Sequence, residues 1–442
     1  MRIQLSDHFD YKRLLQFTFP SMIMMVFTSL YSVVDGFFVS NFVGKTPFAA
    51  VNFIMPVLMI LGSIGFMFGS GGSALVSKTM GEGKADKARQ FFSLFVYSTF
   101  VCGTVIAVAS FFFIRPLAVL MGAEGEMLDN CVIYARILLL SLPFFMLQFE
   151  FQSFFITAEK PQIGLYVTVI CGLTNMVLDA LFMAVFSWGL VGAVAATATS
   201  QILGGVIPIF YFCRREKGVL WLTKTKIDGR ALLKACTNGS SELMSNISTS
   251  IVSMLYNLQL MKYAGENGVA AYGVLMYVNM IFLAIFIGYS TGVVPVVAYH
   301  YGAGGHSELK GLLRKSYKII GIFAVIMFGL AELLAGTLAG IFVGYDADLM
   351  MMTKRAFMIY SFSFLFSGIA IYGSAFFTAL NDGLTSALIS FLRSLVFQVA
   401  AVIILPLIFG IDGIWFSVVS AELVAAIMTV SFITIKKKKY HY

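Results

Sequence analysis

Apolar runs of twenty or more residues alternate with short polar breaks along the whole chain. An α-helix needs about 20 apolar residues to cross the hydrocarbon of a bilayer, so the alternation predicts transmembrane helices. Twelve spans are expected, at about 14–39, 48–77, 91–114, 132–157, 162–186, 190–212, 236–261, 270–298, 316–343, 353–379, 384–408 and 412–435. The longest polar break, Cys213–Lys234, falls between the sixth and seventh spans.

That break separates two related halves. Shifted by 221 residues, Gly44 and Ala49-Ala50 fall on Gly265 and Ala270-Ala271, while Gly71, Gly81 and Gly83 fall on Gly292, Gly302 and Gly304. Thr157-Ala158 falls on Thr378-Ala379, and Gly189 and Gly192 fall on Gly410 and Gly413. A repeat of this length is a duplicated domain, not a solenoid unit. Six spans per half is an even number, so both halves enter the membrane from the same side as parallel repeats, a transporter plan with a central site. The predicted fold is all-α: an integral membrane protein with twelve transmembrane helices in two six-helix lobes. The expected divisions are an amino-terminal lobe over 1–212, a linker over 213–234, a carboxy-terminal lobe over 235–435 and a basic tail over 436–442.

Charge fixes an orientation. Of 30 Lys and Arg, all but seven lie in the termini and in alternate polar breaks, including Lys78–Arg89, Arg214–Lys234, Lys310–Lys318 and Lys436–Lys439. The other breaks hold only Lys45, Arg115, Lys262, Lys354 and Arg355, and Arg136 and Arg393 lie inside spans. The positive-inside rule then puts both termini in the cytoplasm. This also accounts for the net charge of +8 as a topology signal facing anionic lipid, with no nucleic-acid partner. The first residues mix acids and bases without a small-residue cleavage site, so no removable signal peptide is expected. The five cysteines and four histidines form no metal or redox spacing and no nucleophile–base motif is visible, so neither an enzyme nor a cofactor is expected.

Candidate chemistry rests on ionisable groups inside spans, which are expensive in lipid and face an interior or a cavity. The acids are Asp35, Glu150, Asp179, Glu242, Glu332 and Glu422. Counting from the outer span ends puts Asp35 roughly 6 Å deep, and Asp179 and Thr197 roughly 10 Å deep. Asn175 shares a helix face with Asp179. These oxygen donors suit Na⁺, and paired carboxylates suit a proton. The repeat sharpens the reading, because Asp35, Asn175, Asp179 and Thr197 fall on Tyr256, Val396, Ala400 and Val418. The scaffold is duplicated but these polar groups are not. Pro20 interrupts span 1 and could bend a gating helix. Glu150, with Gln152 beside it, and Glu242 near the inner end of span 7 are candidate substrate or gate contacts, with structural contacts the alternative. Glu422 falls opposite Gln201 in the repeat, which favours a shared structural bond, and Arg393 calls for a carboxylate partner.

At these residues the chain resembles the multidrug and toxic compound extrusion (MATE) family. The likeness runs over nearly the whole chain through Pro20…Tyr31-Ser-Val-Val-Asp35-Gly36, Val76-Ser-Lys-Thr-Met-Gly81, Asn175-Met-Val-Leu-Asp179, Gly189-Leu-Val-Gly192 and Pro295-Val-Val-Ala-Tyr-His-Tyr-Gly302. The resemblance implies two lobes around a cavity that opens to one side at a time, exchanging cationic drugs or toxins for Na⁺ or H⁺. In the branch that couples through the amino-terminal lobe it implies ion binding at Asp35, Asn175, Asp179 and Thr197, and bending at Pro20. The other branch uses an acid in span 10, where this chain has none. Many members follow the span 5 Asp with Pro, where this chain has Ala180. The expected protein is thus a monomeric antiporter of a bacterial cytoplasmic membrane, in contact with lipid and with small cationic organic substrates. The rival is a lipid-linked saccharide flippase of the related superfamily. Such a protein should place several Arg or Lys in its cavity, whereas here two lie inside spans against six carboxylates.

Overall fold

The computed structural model describes residues 3–214, 218–344 and 346–442. Arg2, Arg215 and Lys217, and the side chain of Lys45, all part of the charge count, lie outside the described residues. Every regular element among the described residues is helical. The first lobe comprises α1 (Tyr11–Phe42), α2 (Lys45–Gly81), α3 (Ala85–Leu120), α4 (Gly125–Thr157), α5 (Pro161–Asp179) and α6 (Gly189–Phe212). The second comprises α7 (Gly229–Gly302), α8 (His306–Val343), α9 (Ala347–Tyr360), α10 (Phe364–Ala379), α11 (Gly383–Phe391), α12 (Phe397–Phe409) and α13 (Ile411–Tyr440). A 3₁₀ turn, Ser361–Ser363, joins α9 to α10 into one span. Two π-turns mark the fifth span of each lobe: Ala180–Val185 continues α5, and Leu392–Val396 joins α11 to α12.

Eleven of these runs are long and apolar enough to cross a membrane, one fewer than the twelve expected spans. The difference is α7. Its 74 residues would extend about 110 Å as a straight helix, far beyond a bilayer. Gly265, at φ 61° and ψ −150°, breaks the run into limbs 229–264 and 266–302, so the seventh and eighth spans are both present. Gly239 of the first limb abuts Met67 of α2, and Gly302 at the end of the second abuts Lys78 of the same helix. Both ends of α7 therefore lie at one end of the molecule, and the chain must fold back at Gly265. Its counterpart in the repeat, Gly44, also has positive φ, as do the pair Gly189 and Gly410. Positive φ is nearly free only for glycine.

One offset does not serve every region. The left-handed residues after α4 and α10 are Glu159 (φ 59°) and Asn381 (φ 57°), and Lys160 N→Phe155 O matches Asp382 N→Phe377 O. Those turns match at 222, one residue off, and 221 returns at Gly189 and Gly410.

The lobes meet most tightly at the end carrying Lys78, Lys234 and Lys436–Lys439. A Cβ on Gly81 would lie 2.0 Å from the Tyr299 carbonyl oxygen, and one on Gly302 would lie 2.0 Å from that of Lys78. These two contacts exchange under the 221 shift, so the seam follows the internal two-fold. The segment before α1 also bridges the lobes. Leu5 N donates to Glu159 (2.9 Å) on one side, and Phe9 N donates to Glu308 (3.0 Å) of α8 on the other. Leu5 and Phe9 are fully buried.

Candidate functional site

The sequence places two carboxylates, an amide and a hydroxyl on three different helices, and packing of α1 on α5 and of α5 on α6 gathers them. The Asp35 carboxylate lies within reach of the Asp179, Asn175 and Thr197 side chains. Asp179 and Asn175 are buried. Their polar atoms are poorly served: Asp35 Oδ1, both Asp179 oxygens and both polar atoms of Asn175 make no hydrogen bond. Buried polar groups are normally paired, so a cluster of such orphans leaves several oxygen and nitrogen atoms open to a further partner. Thr197 donates to the Ala193 carbonyl (3.2 Å), which leaves its lone pairs for another partner.

Two features of the cluster were not visible in the sequence. The π-turn begins at the residue after Asp179, where the looser helix changes which groups face inward; π-turns gather at functional sites. Tyr134 of α4, buried in the same lobe, interacts electrostatically with both acids, and Tyr31 of α1 interacts with Asp35. Tyr31 stands one helical turn before Asp35 in the sequence, which was its signal, whereas Tyr134 shared only depth with the acids. In the second lobe the counterpart of Asp35 is Tyr256, whose hydroxyl donates to Gln398 Oε1 at 2.9 Å. A neutral, satisfied bond stands where the first lobe has its acid.

A cavity of about 510 Å³ lies between the lobes. Phe66, Phe149 and Gln152 line it from the first lobe, and Glu242, Arg393 and Glu422 from the second. Phe66 and Phe149 stack with ring centroids 3.6 Å apart. Asp35, Asn175, Asp179 and Thr197 are not in its walls, so the acid cluster and the cavity are separate places. Glu242 and Gln152 lie where a substrate could meet them. Glu150 does not: it is fully buried inside the first lobe, beside Gly69 and within reach of Thr99.

Other expectations change. Gln201 accepts from Ser141 (2.7 Å) and does not share a bond with Glu422, which instead takes the Arg393 Nε donor at 2.9 Å. Glu332 accepts from Ser361. Pro20 is buried within α1, which runs helical past it. Among the described residues no three His, Cys, Asp or Glu form a metal-type group.

Comparison with known proteins decides the family. The model of the MatE family matches twice, over residues 20–181 and 243–404. The chain belongs to the MatE family. Relatives include the multidrug export protein MepA of Staphylococcus saprophyticus, 24% identical over 94% of this chain and 92% of that protein. MepA of Staphylococcus aureus is 23% identical over the same shares. Among solved structures, an outward-facing conformation of a multidrug resistance MATE family transporter superposes with a TM-score of 0.93 at 23% identity, covering 98% of this chain and 97% of that one. A MATE crystal structure in complex with MaL6 gives 0.93 at 22% identity, with 98% of each chain covered. As a MatE protein the chain is a multi-pass membrane transporter, not an enzyme, and its fold is the two-lobed MATE fold.

Proposed function

We propose that the protein is a secondary antiporter that exports cationic, amphipathic drugs or toxins across a bacterial cytoplasmic membrane in exchange for Na⁺ or H⁺. The observation that carries the reading is the cluster of orphaned polar atoms at Asp35, Asn175 and Asp179, confined to one of two duplicated lobes. The export names of the MepA relatives support the direction of transport and the class of substrate. The basic breaks support cytoplasmic termini, and with them a cytoplasmic location for the tight glycine seam.

The mechanism follows from where α1 lies. It carries Asp35 on the side of α5, and Ser29, less than two turns earlier, donates to the Met280 carbonyl of α7 at 3.3 Å. A cation reaching Asp35 and Asp179, assisted by Asn175 and Thr197, removes the repulsion between two carboxylates and draws α1 toward α5. Because α1 also packs along the second limb of α7, that movement reaches the seam between the lobes. Pro20 removes one helical hydrogen bond from α1 and provides a place to bend. Substrate leaves the cavity on the outer side, and the ion is released inward once the lobes have rocked.

The test is transport by purified protein in liposomes, with Na⁺ and pH gradients imposed separately and ethidium as substrate. Asp35→Asn and Asp179→Asn should each lower gradient-driven transport by about tenfold or more, the worth of a lost charge-assisted contact. Full transport by both variants would overturn the site.

A further inference from the structure

A concentration of unmatched positive charge lies at the basic end of the molecule, away from the central cavity. A second cavity of about 460 Å³ is found there and shares no lining residue with the first. Lys78 lines it from the last turn of α2, Lys234 from the start of α7 and Lys439 from the last turn of α13. Lys234 interacts electrostatically with both of the others, so ammonium groups from three helices converge. Like charges gathered in this way repel one another unless an anion lies among them.

The nearby acids are already engaged. Asp382 lines the same cavity, but its carboxylate accepts from Lys436 (2.7 Å) and Tyr440 (2.8 Å). Glu82 accepts from Lys84 at 2.9 Å and stands 3.8 Å from Lys78, beyond a hydrogen bond. Lys234 donates to the neutral Asn381 carbonyl at 2.6 Å. Among the described residues Lys439 meets only the Tyr440 ring, at 4.9 Å from its centroid. The backbone adds to this field. α11 begins in the wall at Gly383 and Leu384, and the first N–H groups of a helix have no acceptor within it, which favours an anion there. A topology signal needs only basic residues on one side of the membrane. It does not need them to converge on one concave wall from both lobes, with Lys78 in the first and Lys234 and Lys439 in the second.

We propose that this second cavity binds a phosphate group through Lys78, Lys234 and Lys439, and that the bound group ties the two lobes together at the basic end. All three lysines stand close to helix ends, which is the level of the bilayer headgroups. Basic pockets between helices at that level take phospholipid headgroups, and free phosphate offers the same chemistry. Because the lysines come from both lobes, the complete site exists only while the seam is joined. Binding therefore favours the joined arrangement by mass action. Nothing in this depends on which ion or which substrate is carried.

The experiment titrates the full-length purified protein in detergent with dioleoyl phosphatidylglycerol or dioleoyl phosphatidylcholine, and native mass spectrometry counts the retained lipid. In parallel, calorimetric titration with inorganic phosphate at constant ionic strength measures binding of the free anion. Wild-type protein should bind phosphatidylglycerol about tenfold or more tightly than phosphatidylcholine. Lys78→Gln and Lys439→Gln should each weaken that binding by about fivefold, the worth of one basic residue beside an anionic headgroup, and the triple variant with Lys234→Gln by about 100-fold. The control triple variant Lys224→Gln, Lys226→Gln and Lys438→Gln removes the same charge from exposed positions outside the cavity wall, and should bind as wild type does. Binding of phosphatidylglycerol alone assigns the site to lipid, and inorganic phosphate binding that disappears in the cavity triple variant assigns it to the free anion as well. Equal affinities in the two triple variants would overturn the proposal. So would wild-type protein that neither prefers phosphatidylglycerol nor binds inorganic phosphate. Unchanged affinity in Lys78→Gln would overturn the tie between the lobes.

Discussion

Gly302→Ala perturbs the closed seam directly. The added methyl carbon would lie 2.0 Å from the Lys78 carbonyl oxygen, on the facing helix of the other lobe. Ordinary contact begins near 3.4 Å, so α2 and α7 must part there by about 1.4 Å, and close-packed interiors do not yield that without cost. Overpacking of this kind costs about 1–3 kcal/mol. The two helices belong to lobes with their own buried cores, so the cost falls on the joined arrangement of the basic end and not on either lobe. At about 2 kcal/mol the ratio of joined to parted molecules falls by about 30-fold. Gly81→Ala, which meets the Tyr299 carbonyl at the same distance, should act alike. Gly321→Ala is the control, because a Cβ there meets nothing within 4 Å. Spin labels on the exposed positions 87 and 310, one in each lobe, report the separation by pulsed electron resonance. A longer-distance population should appear in both seam variants and not in the control. Identical distance distributions in Gly302→Ala and Gly321→Ala would refute the reasoning.

Two further expectations concern the same end of the molecule. Burial pushes the Asp382 carboxyl up, but hydrogen bonds from Lys436 (2.7 Å), Tyr440 (2.8 Å) and Thr385 outweigh it and hold it below the usual carboxylate range. A depressed carboxylate contributes stability that is present above its unfolded value of about 3.9 and is lost as pH falls through the folded value. Asp382→Asn should therefore cost about 2 kcal/mol at neutral pH, with the melting temperatures of variant and wild type converging as pH falls below the usual carboxylate range; a constant gap across pH would contradict this. Phe9 is fully buried and packs edge-on against Phe17 (5.8 Å) and His300 (6.3 Å). Phe9→Ala should cost about 3–5 kcal/mol in thermal unfolding in detergent, and an unchanged melting temperature would show that the leading segment does not tie the lobes.

The membrane spans, the duplication and the inequality of its halves were legible because each is written along the chain. Hydropathy is a local sum, and a repeat survives as matched glycines at turns such as Gly44 and Gly265. The same local reading put a polar break with Lys262 between spans 7 and 8 but could not see that Gly265 alone leaves the helical conformation there, since hydropathy carries no backbone dihedral. Nor could it see the one-residue slip at Glu159 and Asn381, because Thr157-Ala158 still matches Thr378-Ala379 at 221. Depth counting brought Asp35, Asn175, Asp179 and Thr197 to one layer. Depth alone does not give the azimuth of a helix, and that is where Glu150 and Glu422 differed from expectation, whereas Arg393 found the carboxylate partner expected of it.

The sequence by itself therefore determined how many times the chain crosses, which acids lie in the crossing segments, and that Asp35 and Asp179 belong to one copy of a doubled frame. Tertiary structure decided which of them meet: Asp35 with Asp179, Arg393 with Glu422, and Glu150 with the interior of its own lobe. It also decided that the lobes close on Gly81 and Gly302. The physical reason is that hydropathy fixes each helix's depth, whereas its rotation and its neighbours come from packing between helices that are distant in sequence.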